Sequence, residues 1–386
     1  VKVIYLDNNA TTKIDSRVLN AMMRFLTEDF ANASSTHTFG ARVYEAVKHA
    51  RVQVAGLLGC ETNEIIFTSG ATEAINLAIK GVAESHKKKG KHIVTALTEH
   101  PAVLDTCAYL ESTGYEISLL PVDNDGILDL KTLKQSLRPD TVLVSVMLIN
   151  NETGVIQPIK EIADIAHSNG AFFMTDATQA VGKMTINVNE LGIDLMSFSG
   201  HKVYGPKGIG GLYVRSKRPN KVKLIPLLHG GGHERGFRSG TMNVPGIVGL
   251  GKAVEIAQRE MEGDAKRISV LRNELEKELL KIENTTLNGH PEKRLYNTSS
   301  ICFKGADADA MIIGLEYFAL SNGSACSSTS VEPSHVLKAM GISDDDAFST
   351  LRFSLGKFNT QDEITKTIKA VKETVKSLRS MNSAYA

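Results

Sequence analysis

Between residues 64 and 215 short apolar, β-rich runs alternate with helical patterns, and this alternation restricts the fold more than any other feature of the chain. The runs include 64–68, 92–95, 141–146, 171–175 and 195–198. Strands apolar on both faces must be covered on both, which a mostly parallel sheet flanked by helices achieves. The expected fold class is therefore α/β. Further on, Val254, Ala257, Met261, Ala265, Ile268, Leu271 and Leu275 recur at spacings of three or four, the stripe of a long amphipathic helix able to bridge two domains. The segment 295–303 and the alternating stretches after it predict a smaller α+β domain. A chain of 386 residues is too long for one ordinary core and too short for three. The expected division is a large domain over 15–257 and a small domain made of 1–14 and 258–386.

Lys and Arg number 44 against 43 Asp and Glu, a net charge of +1, so the chain lacks the basic footprint of a nucleic-acid-binding surface. Any anion bound must be met locally. No stretch approaches a membrane span, and the amino terminus has neither the basic start nor the apolar segment of a signal peptide. The expected compartment is the cytoplasm. Cys60, Cys107, Cys302 and Cys326 are scattered without a CxxC pair, which argues against a structural zinc site and a disulfide framework.

The most specific segment is 197–211, SFSGHKVYGPKGIGG, in which Lys202 leaves a buried apolar run and a glycine-rich turn follows. Burial disfavours a charged amine, and a neutral amine can form a Schiff base; the plain alternative is a basic surface turn. Upstream, FTSGATEA over 67–74 reads as strand, small-residue turn and helix start, whose amides around Ala71 and Thr72 make a phosphate cradle. Ser199 and His201 add further donors. Asp176 stands where an apolar strand ends, an address suited to holding a pyridine nitrogen protonated, with helix capping as the alternative. Gln179 would then face the ring's phenolic oxygen. His100 precedes Pro101, a residue fit to open a helix, so its ring can stack on a flat cofactor and move protons, or merely cap. Asn151 lies in a polar cluster after an apolar strand, where turn formation alone is also an explanation.

Two residues point to a substrate. Arg352 lies in an alternating segment, and its guanidinium can take an α-carboxylate in a bidentate fork or make a structural ion pair. Cys326 sits among small polar residues in LSNGSACSSTS, 320–330, a composition suited to a thiol that enters a site, reacts and leaves; an incidental loop cysteine is the alternative. Cys60, Cys107 and Cys302 have apolar neighbours and read as buried small hydrophobes. The glycine-rich, charged stretch 229–241 reads as a loop for close contact with a ligand or a second subunit.

Taken together these segments, from YLDNNATT at 5–12 to RFSLGK at 352–357, resemble the cysteine desulfurases of the NifS/IscS family, among the fold-type I, class V aminotransferase-like enzymes. The resemblance implies a pyridoxal 5'-phosphate (PLP) cofactor bound covalently by Lys202, with Asp176 on the pyridine nitrogen and His100 stacked on the ring. It implies that Ala71, Thr72, Ser199 and His201 hold the phosphate with Thr241 from the other subunit of a homodimer, and that Asn151 and Gln179 orient the ring. Arg352 matches the substrate-carboxylate arginine and Cys326 the persulfide cysteine; no resident metal is expected. The implied reaction converts L-cysteine to L-alanine, the sulfur passing from Cys326 to an iron-sulfur scaffold or another acceptor. The long Ser-Gly-rich loop looks like that of the group serving such scaffolds, whereas the carboxyl end lacks the extended tail some relatives use for docking. Selenocysteine lyase, cysteine-sulfinate desulfinase, another class V PLP enzyme, a PLP-free partner-binding scaffold, and a transient cluster ligand at Cys326 stay open.

Overall fold

The computed structural model describes residues 3–323 and 332–381. Its centre is a seven-stranded sheet running Ile65–Thr68, Gly210–Val214, Leu195–Ser199, Phe172–Asp176, Thr141–Ser145, His92–Ala96, Glu116–Leu120 from edge to edge. Only Gly210–Val214 opposes its neighbours; every other pairing is parallel. The expected α/β class holds for a simple reason. Successive strand residues point to opposite faces, and both faces are covered. Ile65, Val94, Phe173 and Met196 enter one core with helices Thr38–Leu58 and Ile159–Ser168. Ile66, Ile93, Met174 and Leu195 enter a second core, against helices Ala71–His86 and Pro101–Ser112. Truncating a fully buried strand residue such as Ile66, 1% exposed, to Ala would cost about 2–5 kcal/mol.

One reading changes. Gly210 and Gly211 do not form a turn; they open the antiparallel strand Gly210–Val214. A Cβ on Gly211 would stand 2.4 Å from the Phe198 ring, and one on Gly210 would stand 2.7 Å from the Gly70 Cα. These glycines serve close approach within the sheet.

A second, antiparallel sheet runs Thr350–Ser354, Thr298–Phe303, Thr285–Asn288, with helix Gln361–Met381 against it. Helix Val244–Leu279 links the two parts. Its 36 residues span about 54 Å at 1.5 Å per residue. Val244 to Ala257 bury into the large core, and Ile268 to Leu279 bury with Ile4, Leu6 and Phe353 in a separate one. Among the described residues no helix is long and apolar enough to cross a membrane.

Candidate active site

Parallel strands put their carboxyl ends on one edge, and the loops that follow meet there. After Ile65–Thr68 comes helix Ala71–His86, whose first-turn amides at Ala71 and Thr72 have no carbonyl within the helix to bond. Glu73 steadies that turn: it accepts the Ser69 amide at 2.8 Å and pairs with Arg238 at 2.8 Å. After His92–Ala96, His100 caps helix Pro101–Ser112, its Nδ1 accepting the Ala102 amide at 3.1 Å. Burial, with the Lys202 charge assisting, lowers His100 below its usual value, and Asp176 opposes the fall. With Nδ1 an acceptor, the proton of the neutral ring is on Nε2.

Asp176 ends its strand and is 7% exposed. Three donors converge on Oδ1: the Thr178 amide at 2.9 Å, the Thr178 hydroxyl at 2.5 Å and the Ser197 hydroxyl at 3.1 Å. Lys202 closes the short turn after Leu195–Ser199, and its Nζ donates to the Asn9 and Ala10 carbonyls at 2.5 and 2.6 Å. Beside it, burial and the Lys202 charge push His201 down to about 4. A neutral His201 therefore acts through hydrogen bonds, and its Nδ1 lies 3.1 Å from Thr11 Oγ1. Gln179 donates to the Asn9 carbonyl at 2.9 Å and accepts from Lys183 at 2.9 Å.

From the smaller sheet comes Arg352, its side chain 3% exposed. Nη2 donates to Asp7 at 2.7 Å and Nη1 to the Asn151 carbonyl at 3.0 Å, while Nε is buried without a partner. The ion-pair reading of Arg352 is thus represented by Asp7.

All of Ala71, Thr72, His100, Asn151, Asp176, Gln179, Ser199, His201, Lys202 and Arg352 border one cavity of about 540 Å³, as does Gly323. Thr241 does not; it borders a separate cavity of about 90 Å³ with Ser69 and Gly208. Cys326 lies outside the described residues. The amino-terminal Asp7, Asn9 and Ala10, and Lys183 behind Gln179, were given no individual role by the sequence. Their contacts span 170 residues or more in three of the four cases, and only the paired asparagines after an apolar strand hint at them.

The donor set fits PLP. An amine, a buried carboxylate, helix-start amides and a buried arginine border one space of suitable size. The close approach of Gly210 to Gly70 keeps the helix start against the sheet. Residues 4–367 match the model of the class-V aminotransferases, enzymes that use PLP. The chain is 51% identical over 385 residues to "Cysteine desulfurase IscS" of Pectobacterium carotovorum subsp. carotovorum (strain PC1), covering 99% of this chain and 95% of that one. It is 50% identical to "Cysteine desulfurase, mitochondrial" of Arthroderma benhamiae, covering 99% of this chain and 76% of that one. A solved NifS-like protein superposes with a TM-score of 0.91 at 38% identity, over 97% of this chain and 100% of that one. Sequence and fold agree nearly end to end, and the chain belongs to the IscS/NifS cysteine desulfurase family of class-V aminotransferases.

Proposed function

We propose that the protein is a PLP-dependent cysteine desulfurase that converts L-cysteine to L-alanine and keeps the sulfur as a persulfide on Cys326. The observation carrying this reading is one cavity that gathers Lys202, Asp176, His100 and Arg352 and has Gly323, three residues before Cys326, on its wall. Three residues of extended chain span at most about 11 Å, so a thiol at 326 has the cavity in range. The described cysteines are poor rivals. Burial pushes Cys60 and Cys107 up to about 12 and Cys302 up to about 11, and a thiol that keeps its proton is a weak nucleophile.

The cofactor supplies an electron-withdrawing ring that stores charge as the substrate loses its α-proton. Lys202 Nζ would hold it covalently and would take that proton. Asp176 would keep the ring nitrogen protonated, Gln179 and Asn151 would orient the ring, and Ala71, Thr72, Ser199 and His201 would hold the phosphate. His100, on the cavity wall, would lie against the ring, and its Nε2 would exchange protons near the substrate thiol. Arg352 would take the α-carboxylate through its guanidinium. Cys326 attacks the substrate sulfur: the C–S bond breaks, an S–S bond forms, and the carbon skeleton keeps the electron pair, gains a proton and leaves as alanine.

The same reading makes the protein a homodimer in which Thr241 completes the phosphate cradle of the second copy, in keeping with its position outside its own chain's cavity. It assigns the sulfur to iron-sulfur cluster assembly and other transfer routes, in the cytoplasm. It also divides the chain into 15–257 and 1–14 plus 258–386, a division supported by the change of core partner along helix Val244–Leu279. The test is mass spectrometry after incubation with cysteine. The expected result is one extra sulfur on the peptide containing Cys326, with matching alanine; an adduct confined to Cys60, Cys107 or Cys302 overturns it.

A further inference from the structure

Lys183 sits behind the cavity wall, on the turn that follows Asp176, and is 6% exposed. Lysines so buried ordinarily have a carboxylate partner. This one donates to the side-chain oxygen of Gln179 at 2.9 Å. Gln179 in turn donates to the Asn9 carbonyl at 2.9 Å, and that same carbonyl accepts from Lys202 Nζ. Lys183, Gln179, Asn9 and Lys202 therefore form one hydrogen-bonded relay between two lysines.

The relay has a chemical direction. An ammonium only donates and a peptide carbonyl only accepts, so these neighbours permit a single orientation of the Gln179 amide. Its oxygen goes to Lys183 and its nitrogen to Asn9, which leaves one N–H for the cavity that Gln179 borders.

We propose that Lys183 is a positioning residue: it fixes the donor face that Gln179 turns to the cofactor, and it sets a positive charge beside the Lys202 amine. The inference rests on the desulfurase reading above and deepens it. The charges acting on Lys183 are Lys202, from the turn after Leu195–Ser199, and Arg352, from Thr350–Ser354; His201 feels Lys183 in its turn. Burial first, and those two cations after it, pull Lys183 down to about 7. A phosphate-bearing ligand moves it back towards the ammonium. A positive charge so placed opposes protonation of the Lys202 nitrogen, and an N–H from Gln179 stabilises an anionic ring oxygen.

The test reads the pH midpoint of the holoenzyme's visible absorbance in wild type, Lys183→Met and Lys183→Gln, with thermal melting of each. Both variants lose the charge, so the midpoint should rise by about one pH unit. Competitive acetylation of the cofactor-stripped chain at pH 6, where Lys183 carries its charge, gives a second readout, in which Lys202 should label more slowly in the variants than in wild type. Lys183→Gln decides alone if Lys183→Met does not fold. An unmoved midpoint in a variant that melts like wild type, or unchanged Lys202 labelling, overturns the proposal. A wild-type protein without any lysine-linked visible band overturns the desulfurase reading itself, and this inference falls with it.

Discussion

The two walls of the cavity are built by different means. On the large-sheet side the residues follow strand ends; His100 and Asp176 are held largely by neighbours in sequence, whereas Lys202 and Gln179 reach the distant Asn9 and Ala10 carbonyls. His100 caps its own helix, and Asp176 takes two of its three donors from Thr178. On the other side Arg352 stands in an antiparallel strand and is held by Asp7 and Asn151, 345 and 201 residues away. On the proposed reading the first wall holds the flat cofactor. On that reading the second, with Gly323 also on the cavity, meets what the cofactor carries. Cofactor retention and substrate chemistry should therefore fail separately when the walls are altered one at a time.

The largest effect is expected at Lys202, where the first wall touches both tasks. Lys202→Ala should lose the covalent cofactor band and at least about 10⁴-fold in turnover, because one amine supplies the link and the proton transfer. Thermal melting should remain that of a folded protein; residual wild-type activity would break the scheme. Next in size is Cys326→Ser, which should keep the cofactor and bind cysteine yet form almost no persulfide or alanine. A serine hydroxyl does not replace a thiolate drawn from a thiol of pKa about 8.5. Alanine at the wild-type rate would remove Cys326 from the reaction.

Arg352→Ala sharpens the comparison, since it alters only the second wall. Losing one side of a charge pair costs about 2–5 kcal/mol, so the KM for cysteine should rise about thirtyfold or more. The cofactor spectrum should not change. A KM within about twofold of wild type would leave Arg352 as the partner of Asp7 alone.

The same contrast decides what the sequence made legible. Strands buried on both faces leave contiguous apolar runs, and all five runs that were read are strands. Glu116–Leu120, on the sheet edge and half exposed, leaves no such run. Gly210–Val214 opens on two glycines whose reason lies in the Phe198 ring and the Gly70 backbone, and neither is a local signal. In the site, Lys202, Asp176 and His100 could be read because strand ends and a following proline mark them. The Asp7 to Arg352 pair and the links from Gln179 and Lys202 to Asn9 are tertiary contacts that no spacing encodes, whereas Lys183 and Gln179 are only four residues apart.

The smallest effect is expected at the seam between the walls. Glu152 lies in the turn beside Asn151, is 5% exposed, and accepts the Ser334 hydroxyl at 2.5 Å, while Ser334 caps helix His335–Ala339. A Cβ on Gly323, whose φ is +87°, would stand 2.8 Å from the same carboxyl oxygen. One acid thus contacts residues on both sides of the segment 324–331. Burial raises its pKa above the usual 4.5, against the Ser334 hydrogen bond and the charges of His335 and Arg352. A folded-state value above the unfolded one means the folded chain binds the proton more tightly, so this group contributes stability below about pH 4.5 and loses that contribution as pH rises through the folded value. Glu152→Gln keeps an acceptor for Ser334 and never ionises. At pH 8 it should melt about 1–2 °C above wild type, a small shift because about 1 kcal/mol moves a large chain little. The difference should vanish at pH 4.5. A variant that melts lower at pH 8 would mean that Glu152 is held there as a carboxylate by Arg352 and His335, and that the seam is an ion pair across the two walls.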